Sequence, residues 1–120
     1  MARPSAFAGR HVVVVEDDFL IADDLVAALE AEGAIVVGPV PSVRDALNLI
    51  ERADRLDGAV LDINLQGEMA FPVADALRER AISFVFATGY DRSAVPERYA
   101  GVVTCEKPFN AEQVARAMWG

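Results

Sequence analysis

Gly58-Ala59-Val60-Leu61-Asp62-Ile63-Asn64-Leu65-Gln66-Gly67 is the stretch on which the reading of this chain turns. Ala59, Val60 and Leu61 run without alternating polar residues, so they read as a strand covered on both faces, as central strands of parallel sheets are. The run ends abruptly at Asp62, and loop-forming residues follow. Asp62 is then the first group out of the core. It could equally open a turn, because aspartate accepts hydrogen bonds from nearby backbone N–H groups. Repetition decides between the two: other apolar runs in the chain also end at residues suited to one shared reaction.

Toward the N-terminus, Val12 to Val15 form a β-branched run that ends in Glu16-Asp17-Asp18. The pattern then turns helical from Phe19 to Glu32, with Ile21, Leu25, Ala28 and Leu29 on one face, Asp18 as N-cap and Gly33 as the left-handed cap. Ala34 to Gly38 read as a strand closed by Pro39 and Pro41. Ser42 and Asp45 open a helix that runs to about Ala53 with Val43, Leu47 and Ile50 inside. Residues 1 to 10, with Pro4, Ser5 and Gly9, read as a loose arm before a domain spanning 11 to 120.

Toward the C-terminus, a loop is expected from Asn64 to Met69. Pro72 suits the first turn of a helix whose inner face is Val73, Ala76 and Leu77. Ile82 to Ala87 form a strand that delivers Thr88, Gly89 and Tyr90. Asp91 to Tyr99 make a poor helix, with Pro96 inside and few apolar side chains to tie it to the sheet. Val102 to Cys105 are the last strand, Lys107-Pro108 follow it, and Asn110 with Gln113 caps a final helix carrying Val114, Ala117 and Met118.

Strands and helices therefore alternate strictly. The chain is an α/β protein, a parallel sheet with helices on both faces, because right-handed crossovers place successive helices against it. Ligands of such open sheets bind beyond the carboxyl ends of the strands. With 120 residues there is room for one domain. A net charge of −8 argues against a nucleic-acid backbone as partner. No apolar run has the length of a membrane span and the first ten residues lack a secretory signal, so a cytoplasmic protein without membrane contact is expected. One cysteine, Cys105, and one histidine, His11, exclude an internal disulfide and a zinc cluster, leaving carboxylates as metal ligands.

The strand ends carry Glu16 and Asp17, Asp62, Thr88 and Lys107. Three carboxylates on one edge repel one another unless a cation sits between them, and a hard divalent ion, Mg²⁺ by default, suits oxygen ligands. An added hydroxyl and ammonium let the site hold a phosphoryl group, with a carboxylate as nucleophile. Each residue also has a plain reading: acids favour a helix N-terminus, threonine before glycine makes turns, and lysines lie on surfaces. The joint pattern is what carries the inference.

On these residues the sequence resembles the receiver domains of two-component response regulators from Val12 to Met118. That family's signature is an acidic pair after the first strand, a phospho-accepting Asp after the third, Thr or Ser after the fourth and Lys-Pro after the fifth. The resemblance implies a flavodoxin-like, doubly wound, five-stranded parallel sheet of order 2-1-3-4-5. It implies that Asp62 accepts a phosphoryl group from a kinase phosphohistidine. Asp17 would bind Mg²⁺ directly, Glu16 through water and Asn64 through its backbone carbonyl. Lys107 would pair with phosphoryl oxygens, its bond to Pro108 would be cis, and Thr88 would move toward the phosphoryl group.

Some positions depart from the family. Thr104 stands where an aromatic switch residue is common, and Gln66 where many relatives have proline. Phe86-Ala87-Thr88-Gly89-Tyr90 resembles the hallmark of the FAT GUY subgroup, short by one residue. That likeness implies a stand-alone receiver working with a histidine kinase of the HWE or related type; signalling by protein contact, as a monomer or weak homodimer, is expected. With Thr104 in place of the ring, residues Tyr90 to Tyr99 are expected to form a short, mobile element that orders on phosphorylation. The rival reading is an Mg²⁺-dependent phosphatase or hydrolase on a similar sheet. The haloacid-dehalogenase type would need an acid at Asn64, and no strand is followed by the glycine-rich loop of a nucleotide-binding module.

Overall fold

The computed structural model describes residues 6–88, 95–107 and 110–119. Five strands form one parallel sheet: β1 (His11–Val15), β2 (Ile35–Val40), β3 (Gly58–Asp62), β6 (Ser83–Thr88) and β7 (Thr104–Glu106). Their spatial order is β2-β1-β3-β6-β7, the doubly wound order expected, with β3 at the centre. A second, two-stranded ladder pairs β4 (Asn64–Leu65) with β5 (Glu68–Met69). Four α-helices are present among the described residues: α1 (Phe19–Ala31), α2 (Val43–Arg52), α3 (Phe71–Glu79) and α4 (Ala111–Trp119).

The two faces of the sheet explain why the strand sequences are apolar throughout. Successive side chains on a strand point to opposite faces. Val12, Val14, Val60 and Val85 therefore meet Leu25 and Leu29 of α1 and Val114 of α4. Val13, Val15, Ala59, Leu61 and Phe86 meet Ala46 and Ile50 of α2 and Val73 and Leu77 of α3. Every one of these residues is buried.

Local signals set the helix ends. Asp18 caps α1, its carboxylate accepting from the N–H groups of Leu20 and Ile21 at 2.9 and 3.1 Å. The helix stops at Glu32, followed by Gly33 at φ +90°. Ser42 Oγ accepts from the Asp45 N–H at 3.1 Å to start α2. Arg80, just past α3, donates to the carbonyl oxygens of Ile50 and Ala53, which closes the far end of α2.

Several expectations need correction. Residues 6 to 10 are not a loose arm: Phe7 is 1% exposed, the Arg10 Nε donates to the Ala6 carbonyl, and the Gly9 N–H donates to the Gly33 carbonyl at 3.0 Å. Nor is the segment from Asn64 to Met69 a plain loop, since Gln66 and Gly67 make a two-residue turn with φ of +56° and +89°. Such turns match strand twist and close β4 onto β5. The last strand starts two residues later than expected and ends one later, at Thr104–Glu106. Between β6 and β7, residues 89–94 lie outside the described residues, as does Pro108 with the geometry of its peptide bond. Glu97–Tyr99 form one 3₁₀ turn. Tyr99 is fully buried against Phe71, Phe84 and Phe86, so this part of the segment is tied to the sheet more firmly than its sequence suggested.

Candidate functional site

Register places the polar residues side by side. Val15 lies opposite Leu61 on β3, and Asp62 lies opposite Ala87 on β6, so Glu16, Asp62 and Thr88 leave adjacent strands at one edge. All three are buried, at 5%, 5% and 0% exposure. Lys107 follows β7, and its N–H donates to the Thr88 carbonyl at 3.0 Å. One carboxyl oxygen each from Glu16, Asp17 and Asp62 lies within 4.8 Å of the others.

The Lys107 ammonium holds this cluster together. Nζ lies 2.5 Å from Glu16 Oε1 and 3.1 Å from Asp62 Oδ2. Burial alone would pull its pKa down, but the two carboxylates prevail and hold it above the ordinary 10.5. Glu16 moves up from 4.5: burial is the main cause and the neighbouring Asp62 carboxyl adds to it, outweighing Lys107 and the Asp18 N–H. One ammonium does not balance three carboxylates.

Backbone amides complete the set. The Asp18 N–H donates to Glu16 Oε2 at 3.2 Å, and the Asn64 N–H to Asp62 Oδ1 at 3.2 Å. The Asn64 side chain accepts from the Gly67 N–H at 2.7 Å, which ties it into the β4–β5 turn rather than leaving it as a catalytic acid equivalent. Gln66 donates its N–H to Asp17 Oδ2 at 3.1 Å. Sequence reasoning noted Gln66 only as a departure from the family and gave it no role, because it treated the segment as a loop. The signal was the residue-plus-glycine pair between short apolar stretches, a hairpin pattern.

Every residue singled out from the sequence is thus found at one edge: Glu16, Asp17, Asp62, Thr88 and Lys107, with Asn64 adjoining. The donor set is all oxygen and carries excess negative charge, which fits a hard divalent cation. Thr104, on β7, pairs with Phe86, so the position of the usual switch ring holds a small side chain.

Comparisons agree with this arrangement. No protein-family model and no curated protein sequence matches the chain. Among solved structures it is similar to SdrG from Sphingomonas melonis Fr1, with 41% identity, a TM-score of 0.79 and 94% of each chain covered. It is also similar to the BeF3-activated conformation of SdrG from Pseudomonas melonis Fr1, at 40% identity and TM-score 0.75, covering 92% of this chain and 93% of that one. A response regulator protein from Burkholderia pseudomallei, solved with a phosphorylated aspartic acid, a calcium ion and citrate, shares the fold at 22% identity and TM-score 0.77. That match covers 91% of this chain and 66% of the other. Identity above 40% across nearly the whole of SdrG, together with the shared sheet order, shows that the chain belongs to the response regulator receiver family of two-component signalling.

Proposed function

We propose that the protein accepts a phosphoryl group on Asp62 from the phosphohistidine of a histidine kinase and passes the signal on by protein contact. The observation that carries this is the placing of Asp62. It ends the central strand, Lys107 Nζ stands 3.1 Å from its Oδ2, and the Asn64 N–H reaches its Oδ1. A carboxylate so held presents an oriented nucleophile beside a cation that can accompany incoming charge.

Asp17, Asp62 and the Asn64 carbonyl would hold Mg²⁺ directly, with Glu16 reaching it through water. When bound, the ion neutralises the carboxylates and draws the phosphoryl oxygens toward Asp62. A carboxylate oxygen of Asp62 attacks phosphorus, an O–P bond forms as the N–P bond of the phosphohistidine breaks, and the imidazole leaves with the bonding pair. Lys107 exchanges Asp62 Oδ2 for a phosphoryl oxygen while keeping Glu16. The Thr88 hydroxyl, at the end of the neighbouring strand, donates to another phosphoryl oxygen.

The partner on the input side is a histidine kinase, of the HWE or related type by likeness to the FAT GUY hallmark. On the output side the protein relays phosphate, drains it or inhibits a partner. We place it in the cytoplasm, as a monomer or weak homodimer. No described helix is long and apolar enough to cross a membrane.

Incubation with acetyl phosphate and Mg²⁺, followed by intact mass, tests the assignment. One hydroxylamine-labile phosphoryl adduct is expected, and Asp62→Asn should lose it while keeping the fold, since the amide is nearly isosteric but a far weaker nucleophile. An undiminished adduct on another residue of the variant would overturn the assignment. Steady turnover of many phosphate esters would favour the hydrolase reading instead.

A further inference from the structure

Among the described residues Lys107 is the cation of the cluster, and it pairs with Glu16 and Asp62 rather than with Asp17. Asp17 accepts instead from a backbone amide, the Gln66 N–H, at 3.1 Å on Oδ2. That amide is aimed by an unusual backbone. Gln66 sits at φ +56°, a region that residues with a side chain enter at a cost, and Gly67 follows at +89°. Together they close the β4–β5 ladder, in which Leu65 pairs with Glu68 and Asn64 with Met69. The Gly67 N–H on Asn64 Oδ1 locks the turn from its other side at 2.7 Å.

We infer that Gln66 is a positioning residue for the cation site: its left-handed backbone conformation, not its side chain, turns an N–H onto Asp17 and fixes that carboxylate for metal. The inference rests on the reading of the cluster as a divalent-cation site. Physically, an N–H on one oxygen sets the rotation of the carboxyl group and leaves the second oxygen available to a cation. It also offsets part of the repulsion that holding Glu16, Asp17 and Asp62 within 4.8 Å entails. A proline here could supply none of this, because it has no N–H and its φ is fixed near −65°. In this chain the hairpin therefore becomes part of the metal site, which ties the order of the β4–β5 turn to cation binding.

The test is Mg²⁺ affinity, measured by calorimetry on the full chain without any phosphodonor. Gln66→Pro should weaken binding about tenfold, the lower end of what loss of a hydrogen-bonded partner of a metal ligand costs. Gln66→Ala and Gln66→Gly keep the N–H and should bind within about twofold of the parent, glycine being freer to adopt the positive φ. Equal affinity of Gln66→Pro and the parent would overturn the inference, as would a tenfold loss in Gln66→Ala. Should Gln66→Pro fail to fold, amide spectra decide: Asp17→Asn should shift the residue 66 amide proton upfield and speed its exchange, and an unmoved residue 66 signal would refute the contact. Absence of any Mg²⁺ binding by the parent would instead count against the proposed function, so the two failures read differently.

Discussion

Strands β1 and β3 have opposite chemistry at their two ends. At the amino ends, Phe7 stacks edge-on against Trp119 with ring centres 5.3 Å apart, and the Arg10 guanidinium lies 4.2 Å over the Trp119 ring. Gly58, which opens β3, lies so close beneath α4 that a Cβ there would come within 2.8 Å of Met118 Sδ and 2.9 Å of Trp119 Cζ2. At the carboxyl ends stand Glu16, Asp62 and Thr88, the only buried polar or charged residues among those described. One end is tied by packing and the other holds groups that repel. The difference teaches where the fold gains its stability: apolar contact at the amino ends, together with the two cores, offsets a polar edge kept in readiness for a ligand.

The largest expected effect breaks the packed end. Phe7→Ala removes a ring that is 1% exposed, and should cost about 3 kcal/mol of stability in urea unfolding, at the low end for buried aromatics. Acetyl phosphate labelling of the folded variant should be unchanged, because Phe7 packs on Trp119 beside Gly58, at the opposite end of β3 from Asp62. A loss of labelling in fully folded protein would show that the two ends are coupled and would dissolve the comparison.

Lys107→Ala attacks the other end. Without the ammonium, Glu16 and Asp62 face each other buried and unpaired, so stability should fall by about 2 kcal/mol, less than for a fully enclosed pair because the cluster opens to solvent at Asp17. Added Mg²⁺ should then raise the melting temperature by more than it does in the parent, since cation and ammonium serve the same carboxylates. A variant as stable as the parent, with an equal response to Mg²⁺, would mean that Lys107 does not balance this cluster.

The polar end was the more legible in the sequence. An apolar run that stops at a polar residue is a local pattern, and four such runs announced Glu16, Asp62, Thr88 and, just beyond its strand, Lys107 before any geometry was known. Asp18 and Ser42 were readable as caps for the same reason: cap and helix lie within a few residues of each other. Phe7 was not readable, because its partner Trp119 lies at the other terminus and a segment rich in Pro, Ser and Gly carries no periodicity. Tyr99 was underrated for a similar reason. Its hydroxyl donates to the Phe71 carbonyl at 3.2 Å and its ring joins three phenylalanines, contacts between elements that a weak helical pattern does not encode. Gln66 fell between, with a turn signal present but its target, Asp17, on a distant stretch of chain.

The smallest expected effect sharpens the contrast, because a carboxylate at each end titrates in the opposite sense. Asp57 joins the amino ends of β1 and β3: its N–H donates to the His11 carbonyl at 2.8 Å, and its Oδ2 accepts from the His11 N–H at 2.7 Å and from Arg55 Nε at 3.2 Å. The His11 amide, with a smaller contribution from the Arg55 charge, holds the Asp57 pKa below its ordinary 3.8. A depressed carboxylate adds stability that is present above the unfolded-state value and is lost as pH falls through the folded one. Glu16, pushed above 4.5 by burial and by Asp62, binds its proton more tightly when folded, so its contribution is fully present below 4.5 and is lost as pH rises through the folded value. Asp57→Asn keeps an oxygen for the His11 amide but cannot titrate. Urea unfolding from pH 7 down to pH 3 should therefore show the parent more stable than the variant by a constant small margin until about 3.8, with the margin closing below it. A margin that stays constant through that window would mean that the Asp57 charge has no part in holding the strands together.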